Sequence, residues 1–123
     1  MEQKHVLKPS AAHPIEIEKL GRPVTVMVAG AIIADSRDDA LVLREAAYSP
    51  VIYIPRKDVK MDLLKRSEHT SYCPYKGDAS YYNIPSGGQR SDNAVWTYEA
   101  PHDSVSQIKD YLAFYPTRVD AIG

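Results

Sequence analysis

The sequence predicts a mainly β protein of 123 residues, folded as one domain of short antiparallel strands. Short runs of alternating or β-branched residues recur along the chain, which is the pattern of strands. The connections are short and rich in glycine, proline and aspartate, without the long helical crossovers that parallel strands need. The apolar fraction of 44% and the charged fraction of 25% are those of an ordinary soluble globular protein.

Five strands are predicted before Pro55, at residues 15–18, 24–28, 31–35, 41–45 and 51–54. The first alternates apolar and charged residues, as does a strand with one solvated face. The second and third flank Ala29 and Gly30, which predicts a hairpin. The fourth fits either a strand or a helix, and its β-branched content and the nearby Pro50 favour a strand. Pro55 ends the fifth because its ring removes a ladder donor.

The second half of the chain predicts further strands and one short helix. Residues 56–58 read as a turn, and residues 59–63 alternate as in a strand, with a short helix as the alternative. Residues 79–84 and 94–99 form a predicted strand pair around a loop at 85–93. Asp103 is the predicted N-cap of a helix, and residues 112–115 look extended.

The ends and the overall charge give broader expectations. Residues 1–12 are polar or small and predict a flexible N-terminal arm, which leaves 13–123 as the folded domain. No apolar run resembles a signal peptide or a membrane span, so we expect a cytoplasmic protein that binds no membrane. A net charge of −1 argues against nucleic acid as a partner.

The most informative segment runs from residue 72 to residue 82. It holds the only cysteine, Cys73, followed by Lys76 and surrounded by four tyrosines. All 11 aromatic residues fall between Tyr48 and Tyr115. Buried tyrosines need partners for their hydroxyls, so this uneven distribution favours a pocket in the second half. An aromatic-rich core is the alternative.

Trp96 and Tyr98 lie on the same side of a predicted strand, since side chains alternate along it. If other tyrosines converge on them, they form an aromatic cage for a cation or a flat ring. Lys76 would supply a point charge, and Gly77 would let a ligand approach the backbone. The candidate ligand-binding residues are therefore Tyr53, Arg56, Asp58, Tyr75, Lys76, Gly77, Tyr82, Trp96 and Tyr98. Core packing and a structural Arg56–Asp58 ion pair are the alternatives.

Cys73 is the candidate catalytic residue. Its thiolate would be a nucleophile if Lys76 or His69 stabilised it, whereas a lone cysteine often serves as a small buried hydrophobe. A cysteine and one histidine are too few ligands for a metal, and a single cysteine forms no internal disulfide. No metal or other cofactor is expected. The remaining histidines, His5, His13 and His102, read as surface residues.

Several blocks of the sequence resemble one family. The blocks are residues 53–64, Thr70 with 73–77, Ala79 with Tyr81 and Tyr82, 93–98, Ile108 with 111–115, and 118–120. Together they are similar to the bacterial and fungal domain-of-unknown-function family 427, from about residue 13 almost to the end. The resemblance implies a β-tent-like fold, in which a pair of antiparallel sheets meets at one edge and splays at the other.

The resemblance also bears on function. Several β-tent proteins hold zinc with paired Cys-x-x-Cys motifs, which this chain lacks, and others bind ligands in an aromatic cage or use a cysteine for redox chemistry. Family members are sometimes labelled nucleotidyltransferases, but the closely spaced metal-binding carboxylates of that chemistry are not seen here. The leading hypothesis is therefore a small-molecule-binding domain. The alternatives are an enzyme that uses Cys73 and a protein-interaction module, and a homodimer is left open.

Overall fold

The structure is a computed structural model, and it describes residues 5–123. The first four residues of the predicted arm lie outside the described residues. Residues 5–14 have no regular secondary structure, although the Leu7 amide donates to the carbonyl oxygen of Pro74 at 2.9 Å. The strands are β1 Ile15–Lys19, β2 Val24–Val28, β3 Ala31–Ser36, β4 Leu41–Glu45, β5 Val51–Tyr53, β6 Lys65–Cys73, β7 Gly77–Asn83, β8 Val95–Thr97, β9 Leu112–Phe114 and β10 Ala121–Ile122.

The helices are short and of the 3₁₀ type. They span Arg56–Asp58, Met61–Leu63, Pro85–Ser91, Asp103–Ile108 and Pro116–Arg118. None of the helices within residues 5–123 is long and apolar enough to cross a membrane.

Three antiparallel sheets carry the fold, which confirms the mainly β prediction. Their strand orders are β1-β4-β5, β10-β2-β3 and β6-β7-β8-β9. A pair of sheets was predicted. One backbone bridge joins two of the three observed sheets, so the three sheets form two layers. Ile54 and Leu112 exchange two N–H···O bonds of 2.8 Å, which join β5 to β9 and make one long seven-stranded layer.

The long layer packs differently on its two faces. One face lies against β2, β3 and β10 and forms the main core, around Val26, Ile33, Ile84, Val95 and Leu112. The other face carries Leu43, Tyr53, Tyr81 and Tyr98 and is covered by the helix Asp103–Ile108. We call this second side the aromatic face. Side chains that alternate along each strand therefore enter two separate clusters.

The predicted hairpin is confirmed. Ala29 and Gly30 both adopt positive φ angles, 52° and 79°, which join β2 to β3 with the twist that a two-residue turn favours. The predicted strands at 15–18, 24–28, 31–35, 41–45 and 51–54 each form within a residue or so of their predicted bounds.

Several local predictions were wrong. Residues 61–63 form a 3₁₀ helix, which was the alternative for this segment, and the strand predicted at 59–63 is reduced to one isolated bridge between Val59 and Ala34. The loop at 85–93 contains the helix Pro85–Ser91. The N-cap of Asp103–Ile108 is His102, without a side-chain hydrogen bond, so Asp103 is already the first helical residue. The strand β6 was not predicted, because its polar sequence lacks an apolar repeat.

Candidate functional site

Three polar side chains meet at the rim of the aromatic face. Glu45 ends β4, Lys76 lies in the turn between β6 and β7, and His13 stands just before β1. The Lys76 Nζ atom is 2.5 Å from Glu45 Oε1, and His13 Nε2 is 2.7 Å from Glu45 Oε2. The side chains of Glu45 and Lys76 are each only 11% exposed. This nearly buried ion pair links two distant parts of the long layer.

The same lysine reaches the single cysteine. Lys76 Nζ lies 3.6 Å from the Cys73 Sγ atom, and Cys73 is partly buried beside the aromatic face. Lys76 therefore serves a carboxylate and a sulfur at once.

The carboxyl group of Glu45 is held ionised. Burial is the largest single influence and favours the neutral acid, but hydrogen bonds from Lys76 and His13, together with the charge of Lys76, outweigh it. The net effect is a Glu45 pKa below its ordinary value. The rim of the aromatic face therefore carries a carboxylate and an ammonium together.

His13 was predicted to be a surface residue, and this was wrong. Its ring stacks on the ring of Tyr75, with centroids 4.0 Å apart and planes inclined by 4°. Its side chain is 24% exposed and its Nε2 atom bonds Glu45. A histidine ahead of the first strand thus becomes part of the polar rim.

Aromatic rings form the walls below this rim. The Trp96 indole N–H donates to the Tyr53 hydroxyl at 3.3 Å, and the two rings meet edge to face at 6.3 Å. Trp96 also lies 4.5 Å from the ring of Tyr115. Burial raises the pKa of Tyr53 and of Tyr98, and burial with a hydrogen bond to Tyr81 raises that of Tyr115 to about 12. These phenols stay neutral at physiological pH.

Rim and walls enclose a cavity of about 180 Å³. Its principal lining residues are Glu45, Tyr53, Lys76, Tyr81, Trp96 and Tyr98. The cavity combines flat apolar surfaces with one paired charge of each sign. Such a combination suits a small ligand that has a ring and a polar edge.

A sequence comparison identifies the family. The sequence model of a domain of unknown function (DUF427) matches residues 16–123. The chain belongs to this family. No curated protein matches it.

The DUF427 domain brings together some of the residues that the sequence analysis selected. Tyr53, Lys76, Trp96 and Tyr98 line the cavity. Cys73 adjoins it through Lys76, and Tyr75 adjoins it through His13. The Trp96 indole and the Cys73 sulfur lie on the same side of the long layer.

Three selected residues lie elsewhere. Tyr82 belongs to the main core, and its hydroxyl accepts hydrogen bonds from Arg56 at 3.2 Å and Arg66 at 3.4 Å. Asp58 accepts a hydrogen bond from the Ser36 hydroxyl at 2.8 Å, whereas Arg56 donates to Tyr82 and not to the predicted Asp58. Arg56, Asp58 and Tyr82 thus lie away from the aromatic cavity.

Gly77 has a structural role in the backbone. Its φ angle is +114°, a region that favours glycine, and a Cβ atom there would lie 3.3 Å from the Ala100 carbonyl oxygen. The residue starts β7 opposite Cys73. Gly77 thereby sets the turn that presents Lys76.

The sequence analysis missed Glu45, His13, Tyr81 and Tyr115 as site residues. For Glu45 a signal was available: it shares strand parity with Leu41 and Leu43, which pack on the aromatic face. A charged residue in phase with buried leucines needs a partner of opposite charge. The sequence did not identify that partner as Lys76, which is 31 residues away.

Among residues 5–123, no group of three or more histidine, cysteine, aspartate or glutamate side chains is placed to hold a metal ion. The ionisable groups at the cavity bind one another instead. The reactive groups at the cavity are therefore the Lys76–Glu45 pair and the neighbouring Cys73 thiol.

Proposed function

We propose that this DUF427 domain binds a small single-ring ligand in the aromatic cavity, with the polar edge of the ligand against Lys76 and Glu45. The observation that carries the proposal is the ion pair itself. A lysine and a glutamate that are almost withdrawn from water line a cavity otherwise walled by aromatic rings. Burying a charged pair is costly, so its position beside an open space favours a role in recognition.

The size of the cavity limits the ligand. An apolar cavity of about 150 Å³ accommodates a benzene molecule. The cavity here, of about 180 Å³, has room for one ring and a few further atoms. A ring there would contact Tyr53, Trp96 and Tyr98, with each face contact contributing about 0.5 to 1.5 kcal/mol.

The charges limit the ligand further. Lys76 and Glu45 neutralise each other, so a ligand with a full net charge would have to compete with their 2.5 Å contact. A neutral group that both donates and accepts hydrogen bonds can contact both residues without separating them. A phenolic or amide edge has this property.

Fluorescence of Trp96 tests the proposal directly, because Trp96 is the only tryptophan in the chain. Phenol, benzoate and benzylamine should be titrated separately into the full-length protein. Phenol should change the emission saturably and bind at least tenfold more tightly than the two charged analogues. If none of the three changes the emission, or if all three bind equally, the proposal is wrong.

A pair of variants locates the binding. Lys76→Met should weaken phenol binding about tenfold, the effect of losing roughly one hydrogen bond to a charged group. Tyr82→Phe is the matched control, because Tyr82 lies in the main core and should leave the affinity unchanged. Equal losses in the two variants would indicate a general structural effect rather than a site at Lys76.

A second function is supported by the contact between Lys76 and Cys73. The Lys76 Nζ atom lies 3.6 Å from the Cys73 Sγ atom, which places the one cysteine beside the aromatic cavity, where a cysteine-dependent enzyme would use its sulfur as the nucleophile. Iodoacetamide should then alkylate Cys73 in the folded protein faster than it alkylates free cysteine, and Lys76→Met should slow that reaction. A Cys73 that reacts only after unfolding, or no faster than free cysteine, would exclude this function.

A further inference from the structure

We propose that the ligand of the aromatic cavity carries a short apolar tail, which lies in a cleft between β5 and β9. This inference rests on the proposed binding function and extends it to a class of ligand. The class is an amphipathic molecule with a ring and a polar edge at one end and a small hydrocarbon group at the other.

The cleft arises where two strands separate. Ile54 and Leu112 form the one bridge between β5 and β9 in the described structure. Counting outward from that antiparallel bridge places Ile52 across from Phe114, and these two residues are not paired with each other. Between them lies a cavity of about 230 Å³.

Two prolines limit how far the two strands can pair. In the same antiparallel count, Pro50 lies across from Pro116, and both residues line the cavity. A proline has no backbone N–H, so neither residue can donate a bond that would extend a ladder beyond Ile52 and Phe114. Pairing in this part of the layer is confined to the Ile54–Leu112 bridge, and the cleft opens beyond it.

The cleft is mainly apolar. Its floor and sides are formed by Val26 and Ile122 from the three-stranded sheet and by Ile52, Ile54 and Phe114 from the long layer. None of its lining residues is charged. Transfer of a hydrocarbon group from water into the cleft would be favourable, whereas a charged group would lose its hydration there without gaining a partner.

The cleft and the aromatic cavity are neighbours. Val51 and Trp96 line both of them. A ligand whose ring lies beside Trp96 can therefore extend a substituent past the indole toward Ile52. This shared wall is the reason for assigning the cleft to the same ligand instead of to an unrelated partner.

A series of para-alkylphenols tests the inference on the wild-type protein. Phenol, para-ethylphenol and para-butylphenol should be titrated while Trp96 emission is followed. Each added methylene should tighten binding by roughly fourfold, equivalent to about 0.8 kcal/mol, until the cleft is full. Saturable binding of phenol with no gain along the series would overturn this inference and leave the proposed function intact. Absence of any response would overturn both.

Variants that fill the cleft with a larger side chain distinguish a specific site from general hydrophobic binding. Ile52→Phe and Ile122→Phe should each remove most of the gain for para-butylphenol and spare the affinity for phenol. Ile32→Phe is the control, because Ile32 is 38% exposed on β3 and lines neither cavity. Thermal melts establish which variants fold, and either cleft variant alone is decisive. An unchanged gain in a folded cleft variant, or an equal loss in Ile32→Phe, would overturn the inference.

Discussion

Tyr81 and Tyr82 are neighbours on β7 and have opposite surroundings. Tyr81 faces the aromatic side, where its hydroxyl lies 2.8 Å from that of Ser71 and its ring lies 4.5 Å from the ring of His69. Tyr82 points into the main core, and its hydroxyl is held by two arginines. Both residues are nearly buried, at 7% and 6% exposure.

The position of a residue along the strand decides which face of the layer its side chain enters. Two identical side chains bury similar fractions of their surface, yet one borders open space and the other packs against core residues. Tyr81 lines the aromatic cavity and also a polar cavity near Arg118. Burial by itself therefore does not distinguish a residue of the site from a residue of the core.

The largest expected effect comes from truncating these two residues. Tyr82→Ala should destabilise the fold by about 3 to 5 kcal/mol, because it leaves a cavity in the main core. Tyr81→Ala should destabilise the fold clearly less, since the Tyr81 ring already borders two cavities. Urea denaturation of the two variants measures the difference. Equal losses would mean that the aromatic face is as tightly packed as the core.

Two ion pairs that involve neighbouring residues of β4, Glu45 and Arg44, provide the next test. Lys76→Met leaves the Glu45 carboxylate without its nearly buried partner and should cost about 3 kcal/mol. Arg44→Met removes a pair with Glu18 in which both side chains are more than half exposed, and should cost less than about 1 kcal/mol. Urea denaturation should separate the variants clearly. Similar values would show that the Lys76–Glu45 pair behaves as a surface pair.

The smallest effect concerns acid stability. The pKa of Glu45 is lowered in the folded protein, so its contribution is complete above the ordinary glutamate pKa and is lost as the pH falls through the lowered value. Between about pH 5 and pH 3 the wild type should therefore lose more stability than Glu45→Gln. Denaturation midpoints measured across that range test the slope.

Glu99 provides the matched comparison. A hydrogen bond from Arg66 lowers the pKa of Glu99, but the Glu99 side chain is 41% exposed. Salt at about 1 M shortens the screening length to about 3 Å and should remove most of the acid-dependent effect of Glu99→Gln. The effect of Glu45→Gln should persist in the same salt. Equal salt sensitivity would place Glu45 in a solvated environment.

Much of the framework could be predicted from local patterns. The strands β1 to β5, the hairpin at Ala29 and Gly30, and the grouping of aromatic residues all follow from alternation, turn chemistry and composition. Because Trp96 and Tyr98 share a face, part of the cavity wall was also predictable.

The remainder depends on contacts between distant segments. His13 and Lys76 both bond Glu45, although the three residues lie on separate segments of the chain. Alternation places Tyr82 on the face opposite Tyr81, but it does not say which of the two faces carries a cavity. That choice depends on how β9 meets β5, and no local pattern encodes the bridge at Leu112.

The same bridge has a consequence for motion. Its two amide protons, those of Ile54 and Leu112, are the only ones shared between the halves of the long layer within residues 5–123. Any hinge-like opening of that layer must break both together. The two amides should therefore show one common hydrogen–deuterium exchange rate. That rate would report how often the two halves of the long layer separate.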